Sequence, residues 1–154
     1  MILSTKDLRP GCTVDVTLAI NGSPSCAKYH FNSAHRDRSF ANVKTQWRIS
    51  CRDEVACYGH SLEKGYRQED YYWGYVLRYG RCIQLGKTAS GNVSKIAKFV
   101  CSENPRVWHG YPVDYIDDPS HDCPNREVLN RWRAERVISK PEMIKLITGK
   151  GWKG

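Results

Sequence analysis

The stretch Tyr71-Tyr72-Trp73-Gly74-Tyr75-Val76-Leu77-Arg78-Tyr79-Gly80-Arg81 decides how this chain is read. Its odd positions, Tyr71, Trp73, Tyr75, Leu77 and Tyr79, repeat with period two, the repeat of a strand whose alternate side chains share a face. Such a strand presents four rings in a row, with Arg78 on the opposite face and Arg81 just past Gly80. Two uses fit that row. Rings beside guanidinium groups stack unpaired bases, because every base has a π-face and every nucleotide a negative charge. A row of rings also suits a buried central strand, since aromatics dominate cores.

Working outward, residues 12–20 alternate, with Val14, Val16, Leu18 and Ile20 on one face and Thr13, Asp15 and Thr17 on the other. Asn21-Gly22-Ser23-Pro24 is turn chemistry, and Cys26 to Phe31 returns, so an N-terminal hairpin is expected. Ser33 to Ser39 reads as a basic loop. Residues 43–51 fit a strand and a helix alike; their β-branched and aromatic content favours a strand from about Thr45, followed by a polar connection through Gly59 and Gly65. After the aromatic strand comes a partner around Arg81 to Leu85, then a loop from Gly86 to Gly91. Asn92 then caps a middle helix, Val93 to about Ser102, with Val93, Ile96, Ala97 and Val100 as its apolar stripe. Val107 to Tyr115 reads as an edge strand, because Gly110 and Pro112 interrupt it.

The end of the chain is the best punctuated. A helix is expected from about Asn125 to Arg136 with Val128, Leu129 and Trp132 inward. Ser139-Lys140-Pro141-Glu142 is a capping box with proline in the first turn, opening a second helix that runs to about Thr148 and stops at Gly149. The fold class that follows is α+β: an antiparallel sheet with an N-terminal hairpin, one middle helix and a C-terminal helical pair packed on the sheet. Residues 1–154 make one domain by size.

The chain has 154 residues and a formal net charge of +8. From residue 121 onward it carries eight cations against four carboxylates. That balance favours an anionic partner, nucleic acid first and an acidic protein surface second. Met1 to Asp7 has no charged segment leading into a long apolar run, and no window approaches a membrane span, so a soluble cytoplasmic protein without a membrane partner is expected. Seven cysteines of irregular spacing speak against a disulfide framework and for small buried thiols.

Four constellations carry chemistry. Gly86 to Asn92, at a helix N-terminus with Lys87 nearby, would suit a phosphate. Gly74-Tyr75-Val76, Gln84-Leu85-Gly86 and the helix after them resemble the GIY-YIG nuclease pattern in outline. Gln84-Leu85 replaces its Tyr-Ile, however, and Lys95 stands where an arginine is wanted, which removes the catalytic case. Cys51, Cys57 and His60, with His121 and Cys123 downstream, are weak metal-ligand candidates, since their spacing is no paired motif; no metal or other cofactor is called for. His35 and His109 suit acid–base cleavage of RNA if their segments meet across the sheet, with Arg36 or Arg38 on the phosphate. On the C-terminal helix, Arg126, Asn130 and Arg133 form a stripe apart from the apolar one.

Together these point to a small basic nucleic-acid-binding protein that prefers RNA or single strands. Contacts are expected through Tyr71, Trp73, Tyr75, Arg78, Arg81, Lys87, Lys95, Lys98, Arg126 and Arg133. Metal-independent ribonuclease activity of the toxin type is its enzymatic form, built on His35, His109, Arg36 and Arg38. The alternative is a non-catalytic inhibitor or adaptor from a mobile element that binds a protein through the same aromatics and arginines.

Overall fold

The computed structural model describes residues 2–3 and 8–151; the rest of Met1–Asp7, read above for a leader, lies outside the described residues. The N-terminal hairpin forms from β2 (Thr13–Ile20) and β3 (Ser23–His30), paired in register from Thr13 opposite His30 to Ile20 opposite Ser23. Asn21 and Gly22 make its two-residue turn, both at positive φ, as the strand twist demands. β1 (Ile2–Leu3) pairs outside β2.

The sheet extends through β12 (Val107–Pro112), β11 (Ala97–Ser102), β6 (Tyr71–Gly74) and β5 (Arg67–Gln68), in the order β1-β2-β3-β12-β11-β6-β5. All pairs are antiparallel except β3 with β12, which run parallel where Trp108 lies opposite Tyr29. Smaller ladders join β4 (Gln46–Trp47), β9 (Gly86–Lys87) and β10 (Val93–Ser94), and a separate hairpin joins β7 (Leu77–Arg78) to β8 (Arg81–Cys82). The helices are α1 (Cys51–Lys64), the short α2 (Pro119–Asp122), α3 (Arg126–Ala134) and α4 (Lys140–Ile147). The fold is therefore α+β, with the hairpin, a middle helix and C-terminal helices as expected.

The middle helix is not where the stripe pattern put it. Val93 to Ser102 holds two strands, β10 and β11, and the helix lies at 51–64, in the stretch read as a polar connection. Ala97, Lys98 and Phe99 are all buried, so this strand shows no alternation of apolar and polar positions and its residues also fit a helical stripe. With no helix starting at Asn92, the expected amide site for a phosphate is absent there; Gly86 and Lys87 belong to a strand. Helix α1 carries its own punctuation: Ser50 accepts a hydrogen bond from the Asp53 amide at 3.1 Å, and Gly65 closes it in the left-handed conformation.

The expected edge strand, Val107 to Tyr115, is central. Gly110 is there for space: a Cβ on it would lie 2.3 Å from the Phe99 ring and 2.9 Å from the Tyr29 hydroxyl. Pro112 ends the strand, at the position facing Ala97.

Cores form on both faces of the sheet. On one, Val14, Val16, Leu18, Tyr29, Phe99 and Trp108 pack against Val55, Tyr58 and Leu62 of α1. On the other, Trp73 and Tyr75 pack with Tyr66, Val128, Leu129, Trp132, Met143 and Leu146, so α3 and α4 cover this end. Trp73 is fully buried and its indole N–H donates to Gln68 Oε1 at 3.1 Å; the Tyr75 hydroxyl meets that of Tyr66 at 2.9 Å. The expectation that Trp73 and Tyr75 offer their faces to bases is thus corrected, because both rings are core. The aromatic strand also stops at Gly74, and Tyr79 alone of the row is fully exposed.

One buried ion pair ties the layers. Glu54 of α1 accepts hydrogen bonds from the Tyr29 hydroxyl at 2.8 Å and from the Arg36 guanidinium, which also donates to the Ile49 carbonyl at 2.7 Å. Burial pushes the Glu54 carboxyl up to about 7, against the opposing pull of Arg36 and Tyr29. Arg36→Ala should cost about 3–5 kcal/mol, since it strands a buried carboxylate. Trp73→Ala should cost a similar ~3–5 kcal/mol through the cavity it leaves. Both are read from urea unfolding midpoints, and a loss below 1 kcal/mol in either would contradict the packing described.

Candidate active site

The sheet face that α3 and α4 cover at one end is open in its middle. There a cleft is lined by Asn32, His35, Lys44 and Thr45 from the segment before α1 and by Asp114, Asp118, His121 and Asp122 from the segment after β12. Its floor is His109 and Tyr111 of β12 with Lys98 of β11, which lies opposite Tyr111 in the ladder. The cleft gathers three of the chain's five histidines. His35 and His109, 74 residues apart in sequence, meet here.

His35 sits in the short 3-10 turn Ser33–His35, capped by the Asn32 side chain. Its Nδ1 lies 2.8 Å from the Thr45 carbonyl oxygen, which only accepts, so Nδ1 carries the proton and Nε2 the lone pair. The ring stacks on Tyr111 at 5.4 Å between centroids. Burial, helped by Lys44 and His109, lowers its proton affinity below the ordinary histidine value, although the Thr45 bond opposes this. His109 is lowered too, by burial and then by His30. Both rings are therefore neutral at pH 7.

The segment after β12 brings a second, exposed but hydrogen-bonded imidazole to the cleft, His121, which the sequence marks only as a metal-ligand candidate. His121 Nδ1 lies 2.8 Å from Asp118, which points the opposite nitrogen away from the carboxylate. The Asp118 carboxyl is held below the usual carboxylate range by that bond. Asp122 accepts from the Tyr111 hydroxyl at 2.9 Å and from the Asp114 amide at 2.8 Å, fixing the loop against the strand. Lys98 donates to the His121 carbonyl at 2.6 Å and lies 4.1 Å over the Tyr71 ring. Burial lowers its proton affinity, opposed by Asp122 and Asp118.

The other expected site residues scatter. Arg36 is spent on Glu54 and cannot serve as the phosphate cation, while Arg38 is exposed on the neighbouring turn and lines no part of the cleft. Tyr71 is half-buried under Lys98. Arg78 pairs with Asp53 at 3.1 Å, and Lys87 and Arg126 are exposed on β9 and α3. Arg81, Lys95 and Arg133 come together elsewhere, in a groove they share with Arg136 and Lys140. Of the metal-ligand candidates, Cys51 and Cys57 are buried on α1, His60 lies among the Tyr66 and Tyr75 rings, and Cys123 packs on the opposite face of the sheet from Cys51. Among the described residues no three histidine, cysteine, aspartate or glutamate side chains are grouped to hold a metal ion.

Comparison with protein-family models, with curated proteins and with solved structures found no match.

Histidine chemical shifts followed against pH should give His35 and His109 midpoints below 6.5. His109→Gln should move the His35 midpoint upward, because a like charge is removed. The contribution of the two neutral rings to stability is full above about pH 6.5 and drains away as the pH falls towards their folded midpoints.

Proposed function

We propose that this protein binds single-stranded RNA and cleaves it by acid–base catalysis without a metal ion. The observation that carries the reading is the pair of imidazoles, His35 and His121, each held by its Nδ1 and both lining one cleft. Cleavage of RNA by its own 2′-hydroxyl needs that division of labour. A base takes the 2′-hydroxyl proton, O2′ attacks phosphorus, and the bond from phosphorus to O5′ breaks as an acid protonates the leaving oxygen. The products are a 2′,3′-cyclic phosphate and a free 5′-hydroxyl.

His35, neutral at pH 7 with its lone pair on Nε2, suits the base. His109 is lowered in the same direction, so it does not complement His35 as an acid; it acts through His35 by disfavouring the protonated form. The leaving oxygen is assigned to His121, whose Nδ1 is engaged by Asp118 so that Nε2 is the ring nitrogen left for it. Lys98, with two ammonium protons beyond the one given to the His121 carbonyl, supplies the cation for a non-bridging phosphate oxygen. The net charge of +8 favours the polyanionic substrate. Seven cysteines without a disulfide suit a reducing compartment such as the cytoplasm, and no helix among the described residues is long and apolar enough to cross a membrane.

The test is incubation of a short RNA with the purified protein in excess EDTA, followed by end-group analysis of the fragments. Cyclic phosphate ends should appear, and replacing the ribose at the scissile position by deoxyribose should abolish cutting there. His35→Ala and His121→Ala should each lower the rate by about 100-fold or more. Unchanged cutting in both variants, or none by the unaltered protein, overturns the cleavage reading.

A further inference from the structure

The groove shared by Arg81, Lys95, Arg133, Arg136 and Lys140 has a single carboxylate on it, Glu142. Five cations against one anion give it +4, half of the chain's formal +8. The Glu142 carboxylate is turned to the Ser139 amide, which donates to it at 2.6 Å in the capping box of α4. Among the described residues Arg81, Arg133, Arg136 and Lys140 make no ion pair with a carboxylate. Like charges gathered without partners work against the folded state, so a cluster of this kind calls for an anion from outside. Three guanidinium groups suit phosphate, which accepts their paired N–H donors two at a time.

The rim of this groove carries a second feature that the fold does not explain. β7 and β8 are joined by a two-residue turn, Tyr79-Gly80, with φ of 52° and 72°. Asn-Gly is the sequence that geometry prefers, because both residues sit in the left-handed region, where a bulky side chain is disfavoured. Tyr79 occupies the position nevertheless. Its ring is fully exposed and buries nothing, while its neighbours Gly80 and Arg81 line the groove. A residue that costs turn stability and adds no packing is placed for contact with something else.

We infer that this groove binds the phosphate chain of single-stranded RNA, with Arg81, Arg133, Arg136 and Lys140 on the phosphates and Tyr79 stacked on a base at the rim. Of the aromatic row at 71–79, Tyr79 is then the one ring that performs the stacking its sequence suggests. A single strand is the form required, since its bases are free to stack, whereas duplex bases are already stacked on one another. The inference rests on RNA as the ligand and not on the chemistry at His35 and His121.

Binding is measured by fluorescence anisotropy with a labelled oligouridylate whose riboses are 2′-O-methylated, which cannot be cut by 2′-hydroxyl attack. Tyr79→Asn suits the turn better than tyrosine, so the fold is kept while the ring is lost; affinity should fall roughly tenfold. The double variant R133Q/R136Q should weaken binding and flatten the slope of log affinity against log salt by about 1.4, at about 0.7 for each phosphate contact removed. Because this ligand cannot be cut, its affinity is read independently of whether the protein cuts RNA. Affinity within twofold of the unaltered protein in Tyr79→Asn, an unchanged salt slope in the double variant, or equal affinity for a duplex of the same length would each overturn the inference.

Discussion

The buried Glu54 carboxylate is the contact on which the rest of the arrangement depends. It joins a helix, a central strand and a loop at one point: Glu54 stands on α1, Tyr29 on β3, and Arg36 follows His35 directly in the chain. A charge without solvent must be matched by donors on the spot, so the position of the Arg36 backbone is set by the packing of α1 on the sheet. His35 inherits that position. Its remaining freedom is removed by the Thr45 carbonyl and by stacking on Tyr111, which come from the other side. An interaction deep in one core thereby orients an imidazole on the opposite face of the sheet.

That transfer works because strand alternation sorts side chains by task. On β12, Trp108 and Gly110 serve the core under α1, while His109 and Tyr111 face the cleft. On β11, Phe99 and Lys98 divide the same way. The central strands are rigid, being hydrogen-bonded on both edges, and groups mounted there keep their spacing better than groups on loops. The segment 114–122, which ends in α2 and supplies Asp118 and His121, is tied to this platform through Asp122 and Tyr111 and through Lys98.

Legibility in the sequence followed the same physics. The hairpin could be read because β2 is buried on one face only and its turn is Asn-Gly; the C-terminal helices could be read because their apolar stripe and capping box are local. Strand β11 was misread because burial on both faces erased its alternation. Helix α1 was missed although Ser50-x-x-Asp53 and the stop at Gly65 are present, because Ser61, His60 and Gly59 broke its stripe. His35 and His109 were legible as residue types, and only the fold brings them into one cleft. His121 was obscured by Cys123 beside it, which suggested ligands for a metal. The aromatic row misled most, since period two says that rings share a face and not whether another layer covers it.

If the cleft cleaves RNA and the groove binds it, as proposed, their separation has a chemical logic of its own. A general base that must stay neutral at pH 7 gains from nearby cations, yet a polyanion in the same place raises its proton affinity and works against it. The cleft holds Lys44 and Lys98 against Asp114, Asp118 and Asp122, so its charges nearly cancel. The excess of positive charge stands instead with Arg81, Arg133, Arg136 and Lys140. Attraction of a charged chain acts over roughly 8–10 Å at physiological salt, whereas proton transfer needs contact within about 3 Å. For an RNA-cleaving protein of the kind proposed, attraction placed on one surface leaves only the phosphate being cut beside the base on the other.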